Sequence, residues 1–434
     1  MAEESKATNI TLAISAGAET TNQLKSRSYE RVVVSLLFLS TLINFLDRQT
    51  LSIIAPLLRD EFSLSNVDYS RIVFAFLLGY TVSQTFVGKL IDHVGTKAGM
   101  LLCVAVWSTV AMLQGIAIGF FSFCMVRLLL GIGQSGNWPG AVKAISESFP
   151  PRRRALAVGA FHSGAFIGAL IAPPLVVGLV RSLGWRWMFV AVGATGILWI
   201  WLWVRFYRKK VSSPLRVPTE TQRCGTPVLA YLRRRAVWGL MIGRFLADPV
   251  WWFYVFWLPE YLTRIRGFGL SAIGATLWIP FVFAALGSGL GGYASGALMR
   301  RCGSPVRARK VVMIFGAVLM LFGIPAFLTQ TSAMAVGLIC IVLFGYACWS
   351  ANILTLPADL FRSEEVAQVS GLVGTAGAIG GMLFTLATGW LVQNVSYSPV
   401  FGLTSVMIVC GATAVVCLVP GRTNGNRQNA LTLL

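Results

Sequence analysis

VVVSLLFLSTLINFLDRQTLSIIAPLL, residues 32–58, is apolar along almost its whole length and yet carries Asp47 and Arg48 side by side. A bilayer core about 30 Å thick takes roughly 20 helical residues, so the stretch is long enough to span. A charge at mid-membrane costs roughly 2.5–3.5 kcal/mol even on the lenient insertion scale, and such residues face a polar cavity rather than lipid. The segment therefore predicts a transmembrane helix with a functional face.

The rest of the chain repeats the pattern. Hydrophobic residues make up 56% of 434 and charged residues only 12%, and mean hydropathy is +0.72, which excludes a soluble globular protein. Apolar runs predict about twelve spans, at 32–55, 70–91, 98–118, 120–146, 155–180, 187–206, 237–263, 272–297, 310–329, 333–356, 366–393 and 399–419. The fold class is an all-α membrane protein. Residues 1–30 contain Glu3 and Glu4 and lack the basic start and apolar core of a cleavable signal, so they read as a disordered tail. The eight cysteines include no CxxC pair and read as packing residues, with no metal expected.

Lys and Arg gather in alternate loops: Lys25, Arg27 and Arg31; Arg152 to Arg154; Arg205 to Lys210 with Arg233 to Arg235; and Arg300, Arg301, Arg307, Arg309 and Lys310. By the positive-inside rule these loops and both termini are cytoplasmic. The net charge of +20 is thus an expression of topology, and no soluble module is long enough to put it to use on nucleic acid. The longest polar segment, 208–235, divides the chain into a six-helix bundle at 31–207, a cytoplasmic linker and a second bundle at 236–420, followed by a tail at 421–434.

An internal echo supports the division. Gly88-Lys89-Leu90-Ile91-Asp92-His93-Val94-Gly95-Thr96-Lys97 follows the second span, and Gly292 through Gly296 to Arg300, Arg301 and Gly303 follows the eighth. Each combines glycines that permit a tight turn with cations at a helix C-terminus. The first copy resembles the signature loop of the major facilitator superfamily, which implies two pseudo-symmetric six-helix bundles and a cytoplasmic gate containing Asp92 and Lys97. Further stretches resemble the anion:cation symporter family within it: Asn44 to Arg48, Arg127 to Gln134, Asn137-Trp138-Pro139-Gly140, and Phe149-Pro150-Pro151-Arg152. Asp248 to Tyr254, extended through Phe256-Trp257-Leu258-Pro259, and Trp349-Ser350-Ala351-Asn352 are similar to its hexuronate transporter branch.

The chemistry of the polar residues fits that resemblance. A guanidinium is always charged and matches a carboxylate with two parallel hydrogen bonds, which makes Arg48 the anion anchor. Asp47 points about 100° away along the helix, so it need not bind Arg48 and can serve a separate partner; the resemblance implies that it carries a proton. Arg127 and Gln134 lie two turns apart on one face, and the family usually has a titratable glutamate where this chain has Gln134, an amide that cannot titrate. His162 stands where asparagine is common, and the choice among hydrogen bonding to substrate, carrying a proton and simple packing stays open. Tyr80 offers a ring and a hydroxyl to a sugar acid.

From the second half, Trp251, Trp252, Asn352 and Thr375 are nominated for substrate contact, although adjacent tryptophans are not expected to share one cavity. Asp248 is either a second proton-coupling carboxylate near the extracytoplasmic mouth or the partner of Arg244 one turn earlier. Nucleophile-base and metal-ligand spacings are not found, so no catalytic residue and no cofactor is implied. The reading is an importer of an organic anion, a hexuronate such as galacturonate or glucuronate, with protons across a bacterial inner membrane. Its partners are that anion, the proton and membrane lipid, and it is expected to act as a monomer. The alternatives are another carboxylate, namely an aldonate, aldarate or aromatic acid, or a transporter-like sensor.

Overall fold

The computed structural model describes residues 2–149, 151–208, 231–361 and 363–421; within these, 2–26, 85, 92, 151–156, 302, 363–364 and 366–368 are described as backbone alone. Most of the 208–235 linker, the tail beyond 421, the Arg152 to Arg154 side chains and the Asp92 side chain thus lie outside the described residues.

Helix α1 (Ala2–Glu61) runs into α2 (Asn66–Val94) and α3 (Thr96–Leu113), then α4 (Phe120–Gln134) and α5 (Asn137–Ser148). The sixth helix, α6 (Pro151–Phe206), completes the first half. The second half comprises α7 (Arg235–Arg264), α8 (Leu270–Thr276), α9 (Trp278–Cys302), α10 (Pro305–Met320), α11 (Gly323–Leu328), α12 (Ser332–Ile353), α13 (Leu356–Leu360), α14 (Ser363–Asn394) and α15 (Ser398–Leu418). The backbone is helical from Ala2, where the sequence predicts a disordered tail. The stretch is rich in alanine and has no proline before Pro56, so nothing ends the helix that the first span begins.

Eight helical stretches among the described residues are long and apolar enough to span by composition alone. One of them, 157–206, is two spans joined at Gly184, where φ is +80°. The chain reverses there: Gly164 abuts Phe38 on one side of the break, and Trp199 on the other donates to the Leu36 carbonyl at 2.7 Å. The remaining three, α2, α4 with α5, and α7, carry Gln84, Arg127 and Asp248 and turn polar residues inward. The fold is twelve spans in two six-helix bundles.

Close helix contacts repeat between the halves. A Cβ on Gly79 or Gly131 would strike the facing backbone between α2 and α4, and one on Gly287 or Gly291 would do the same between α9 and α12. Gly164 and Gly168 bring α6 against α1 just as Gly380 brings α14 against α7. Small residues let membrane helices approach where lipid offers no hydrophobic drive. The bundles meet along α1 with α7, α2 with α14, and α6 with α8 and α9.

Two ends of the molecule are named by their turns. The Glu61 end holds the α1–α2 turn, where Ser65 and Asp68 form a reciprocal capping box. The Gly95 end holds the α2–α3 turn, made by a glycine at φ +86°.

Candidate substrate site between the bundles

A cavity of about 210 Å³ lies between the two halves. From α1 it takes Thr41, Asn44, Phe45 and Arg48, the i, i+3, i+4, i+7 face of one helix. Asp47, one residue away, is turned aside into the first bundle. The second half supplies Arg244, Asp248, Trp251 and Trp252 from α7, with Tyr346 and Ser350 from α12.

Arg48 is 3% exposed. Its Cζ lies 4.8 Å from the Phe45 ring, 5.0 Å from Phe76, 4.9 Å from Tyr80 and 5.5 Å from Trp252, so rings from both bundles hold it. Nη2 donates to Asn44 Oδ1 at 3.2 Å, while the buried Nε has no partner. Among the described residues Arg48 makes no ion pair. Aromatic faces position a guanidinium without cancelling its charge, so a fixed, uncompensated cation faces the cavity.

Behind this wall lies a second polar layer. Asp47 is 1% exposed, and neither carboxyl oxygen has a hydrogen-bond partner. Arg127 is fully buried with Nε and Nη2 unpartnered. Gln134 is also fully buried and donates from Nε2 to the Asn44 carbonyl at 3.4 Å. These residues pack inside the first bundle and do not line the cavity.

Aromatic surface lines much of the remaining wall. His162 stacks on Trp138 at 5.3 Å and meets Phe166 edge-on at 5.5 Å. Trp251 stacks on Tyr346 at 5.5 Å, and Trp252 stacks on Phe256 at 5.5 Å. Both tryptophans line the cavity, against expectation. Arg244, Asp248, Trp251 and Trp252 stand at i, i+4, i+7 and i+8, so one face of α7, about 100° wide, lines the cavity and carries a tryptophan at each edge.

Toward the Glu61 end the space is plugged: Tyr69 packs on Trp257 at 5.0 Å and Phe76 on Phe256 at 6.5 Å. Toward the Gly95 end the wall reaches Leu354, which is 45% exposed.

The chain that builds this pair of repeated bundles around a caged cation matches the family model of the Major Facilitator Superfamily over residues 37–385 and 296–432. The chain belongs to that superfamily. It is 32% identical over 401 residues to the hexuronate transporter of Escherichia coli strain K12, covering 88% of this chain and 92% of that one. To the galacturonate transporter of Dickeya chrysanthemi it is 31% identical over 304 residues, covering 67% and 88%. Among solved structures, a D-xylose-proton symporter superposes with TM-score 0.75 at 17% identity, covering 91% and 98%. A bacterial homolog of the human lysosomal transporter Spinster, titled inward-facing and unoccupied, superposes with TM-score 0.72 at 21% identity over 90% and 95%. The protein is a membrane transporter and not an enzyme.

In this facilitator the remaining nominated residues separate into two groups. Tyr80, His162 and Asp248 join Arg48 and the two tryptophans at the cavity. Asn352 is fully buried and donates to the Cys348 and Gly291 carbonyls at 2.8 and 3.3 Å, tying α12 to α9. Thr375 is exposed on the outward face it shares with Ile379 and Leu383, while its neighbour Gly374 lines the cavity. Lys97 donates to the Val204 carbonyl at 3.1 Å, holding α3 to the end of α6 within one bundle.

Sequence reasoning did not nominate Arg244, Tyr346, Ser350 or Trp138 for the site. Ser350 stands inside the quoted Trp349 to Asn352 motif, and Tyr346 precedes it by one helical turn, which is the signal that could have found both.

Proposed function

We propose that this chain imports a hexuronate such as galacturonate or glucuronate together with a proton, across a bacterial inner membrane, with the Gly95 end in the cytoplasm. The observation that carries the reading is the counter-ion-free Arg48 in a cavity shared by both bundles. An anion entering the cavity gives this cation the carboxylate it lacks, in a geometry that suits paired hydrogen bonds. The flat C–H faces of a sugar ring meet Trp138, Trp251 and Trp252, and its hydroxyls meet Tyr80, Gln84 and His162. The names of the similar transporters support the sugar-acid class.

Asp47 is the proposed proton carrier. A carboxyl group with no fixed donor gains and loses a proton without breaking a hydrogen bond, whereas Asp248 is already engaged by Arg244. Gln134 occupies the second-layer position as an amide and does not titrate. Coupling then requires only that proton and anion favour the same bundle rearrangement. The orientation follows the basic loops, and Asp92 and Lys97 belong to the gate at the Gly95 end.

The test is uptake of radiolabelled galacturonate into proteoliposomes under an imposed pH gradient, with and without an uncoupler. Wild type accumulates the sugar acid, and the uncoupler abolishes accumulation. Arg48→Ala lowers uptake by about a hundredfold or more, since it removes the charge that pairs with a desolvated anion. Asp47→Asn loses gradient-driven accumulation. Undiminished accumulation by either variant removes its assigned role, and competition by aldonates, aldarates and aromatic acids ranks the alternative cargoes.

A further inference from the structure

The cavity wall contains a second guanidinium with a counter-ion built in. Arg244 and Asp248 are one turn apart on α7, and both line the cavity. Arg244 Nε donates to Asp248 Oδ2 at 2.8 Å, and Nη2 donates to the same oxygen. The other carboxylate oxygen, Oδ1, accepts from the Tyr346 hydroxyl at 3.4 Å.

A third helix shapes the seat. A Cβ on Gly377 of α14 would collide with Asp248 Oδ2 and stand 3.2 Å from Arg244 Nε, so only glycine leaves room for the pair there. Three helices thus hold the carboxylate against the guanidinium. Arg244 Nη1, buried, keeps no hydrogen-bond partner, leaving one donor of the fork unused.

Among the described residues, the charges facing the cavity are Arg48, Arg244 and Asp248, two positive and one negative, for a net +1 with the ion pair formed. Asp47 and Arg127 lie behind the wall and do not face the cavity. One carboxylate neutralises this surface. A second carboxylate on the same ligand meets an Arg244 that is already occupied, and it lies desolvated beside Asp248, where like charges repel strongly.

We infer that Asp248 is a specificity-determining residue: it fills the anion seat at Arg244, so that the cavity accepts sugar acids with one carboxylate and rejects those with two. The inference rests on Arg48 binding the first carboxylate, as proposed above. Specificity here is built by exclusion, through a repulsive group placed where the wrong ligand would bind.

The experiment is calorimetric titration of the purified full-length protein with galacturonate and with galactarate, which differ by one carboxylate. Wild type is expected to favour galacturonate by about fiftyfold or more. Asp248→Asn, which keeps the shape of the side chain, gains galactarate affinity and narrows that ratio at least about tenfold; Asp248→Ser does the same if the asparagine variant fails to fold. The double variant Arg244→Met with Asp248→Asn returns the wall to a net +1 without a second seat and gains no galactarate binding. Thermal unfolding confirms that each variant is folded. An unchanged ratio in folded Asp248→Asn and Asp248→Ser overturns the inference, as does a wild type that binds both ligands equally. A folded wild type that binds neither ligand overturns the functional reading itself, and the inference with it.

Discussion

The two ends of the molecule are bonded in different ways. At the Glu61 end the bundles are joined to each other: Arg59 pairs with Glu260 and Arg264 with Asp60 across the interface. Glu260, fully buried, also accepts from Arg264 Nε at 3.3 Å. The Asn66 backbone donates to Gln393 at 3.0 Å, and the Tyr69 hydroxyl donates to the Phe256 carbonyl at 2.6 Å. At the Gly95 end, Arg234 pairs with Glu365 and Arg309 with Asp359 inside the second bundle. Thr96 and Tyr207 both donate to Glu147 inside the first, at 2.8 and 3.0 Å. In the proposed transport cycle, run by alternating access, the bonds of the first kind are the ones that break and those of the second keep each bundle rigid. The conformation described here is closed at the Glu61 end, with the cavity reaching toward the other.

That contrast is most open to attack at Glu260. Glu260→Gln leaves the largely buried Arg59 without its carboxylate and takes one of two partners from the exposed Arg264, a loss of about 3 kcal/mol, the low end for breaking a buried pair. The equilibrium is expected to swing toward opening at the Glu61 end. Spin labels at Ser63→Cys and Val395→Cys, one on each bundle, should read a longer distance on a background free of other cysteines. An unchanged distance distribution would mean that the ion pairs do not hold this end shut.

A smaller effect is expected of Tyr69→Phe, which removes one hydrogen bond across the interface while keeping the ring on Trp257. A net loss of about 1 kcal/mol corresponds to roughly a fivefold population shift toward the open state, read with the same labels. Arg309→Ala sharpens the comparison from the other side. It should leave the label distance unaltered and lower thermal stability by about 1 kcal/mol, because the bond it removes lies within one bundle. Movement of the labels in that variant would erase the distinction between the two ends.

Arg48 was legible in the sequence because its charge stands inside an apolar run, and the divergence of Asp47 followed from helical geometry. Arg127, Gln134 and Asn352 show where legibility stops. Polarity within a span says that a residue avoids lipid, but it does not say whether the residue meets a cavity or a neighbouring helix. In the structure all three bond or pack within their own bundle. Thr375 illustrates a finer limit, since one residue of rotation separates it from Gly374 on the cavity wall. The two adjacent tryptophans escaped prediction because the face of α7 that lines the cavity is about 100° wide, broad enough to hold neighbouring positions at its two edges.

The sequence by itself determined the spans, the twofold repeat and the presence of a costly cation at mid-membrane. Transfer into hydrocarbon is a local energy, counted residue by residue along the chain. Only the tertiary structure decided which polar groups share the cavity, that Asp248 occupies Arg244, and which end is closed. Those outcomes depend on contacts such as Tyr69 with Phe256 and Arg59 with Glu260, separated by 187 and 201 residues, and they exist only once the two bundles have packed against each other.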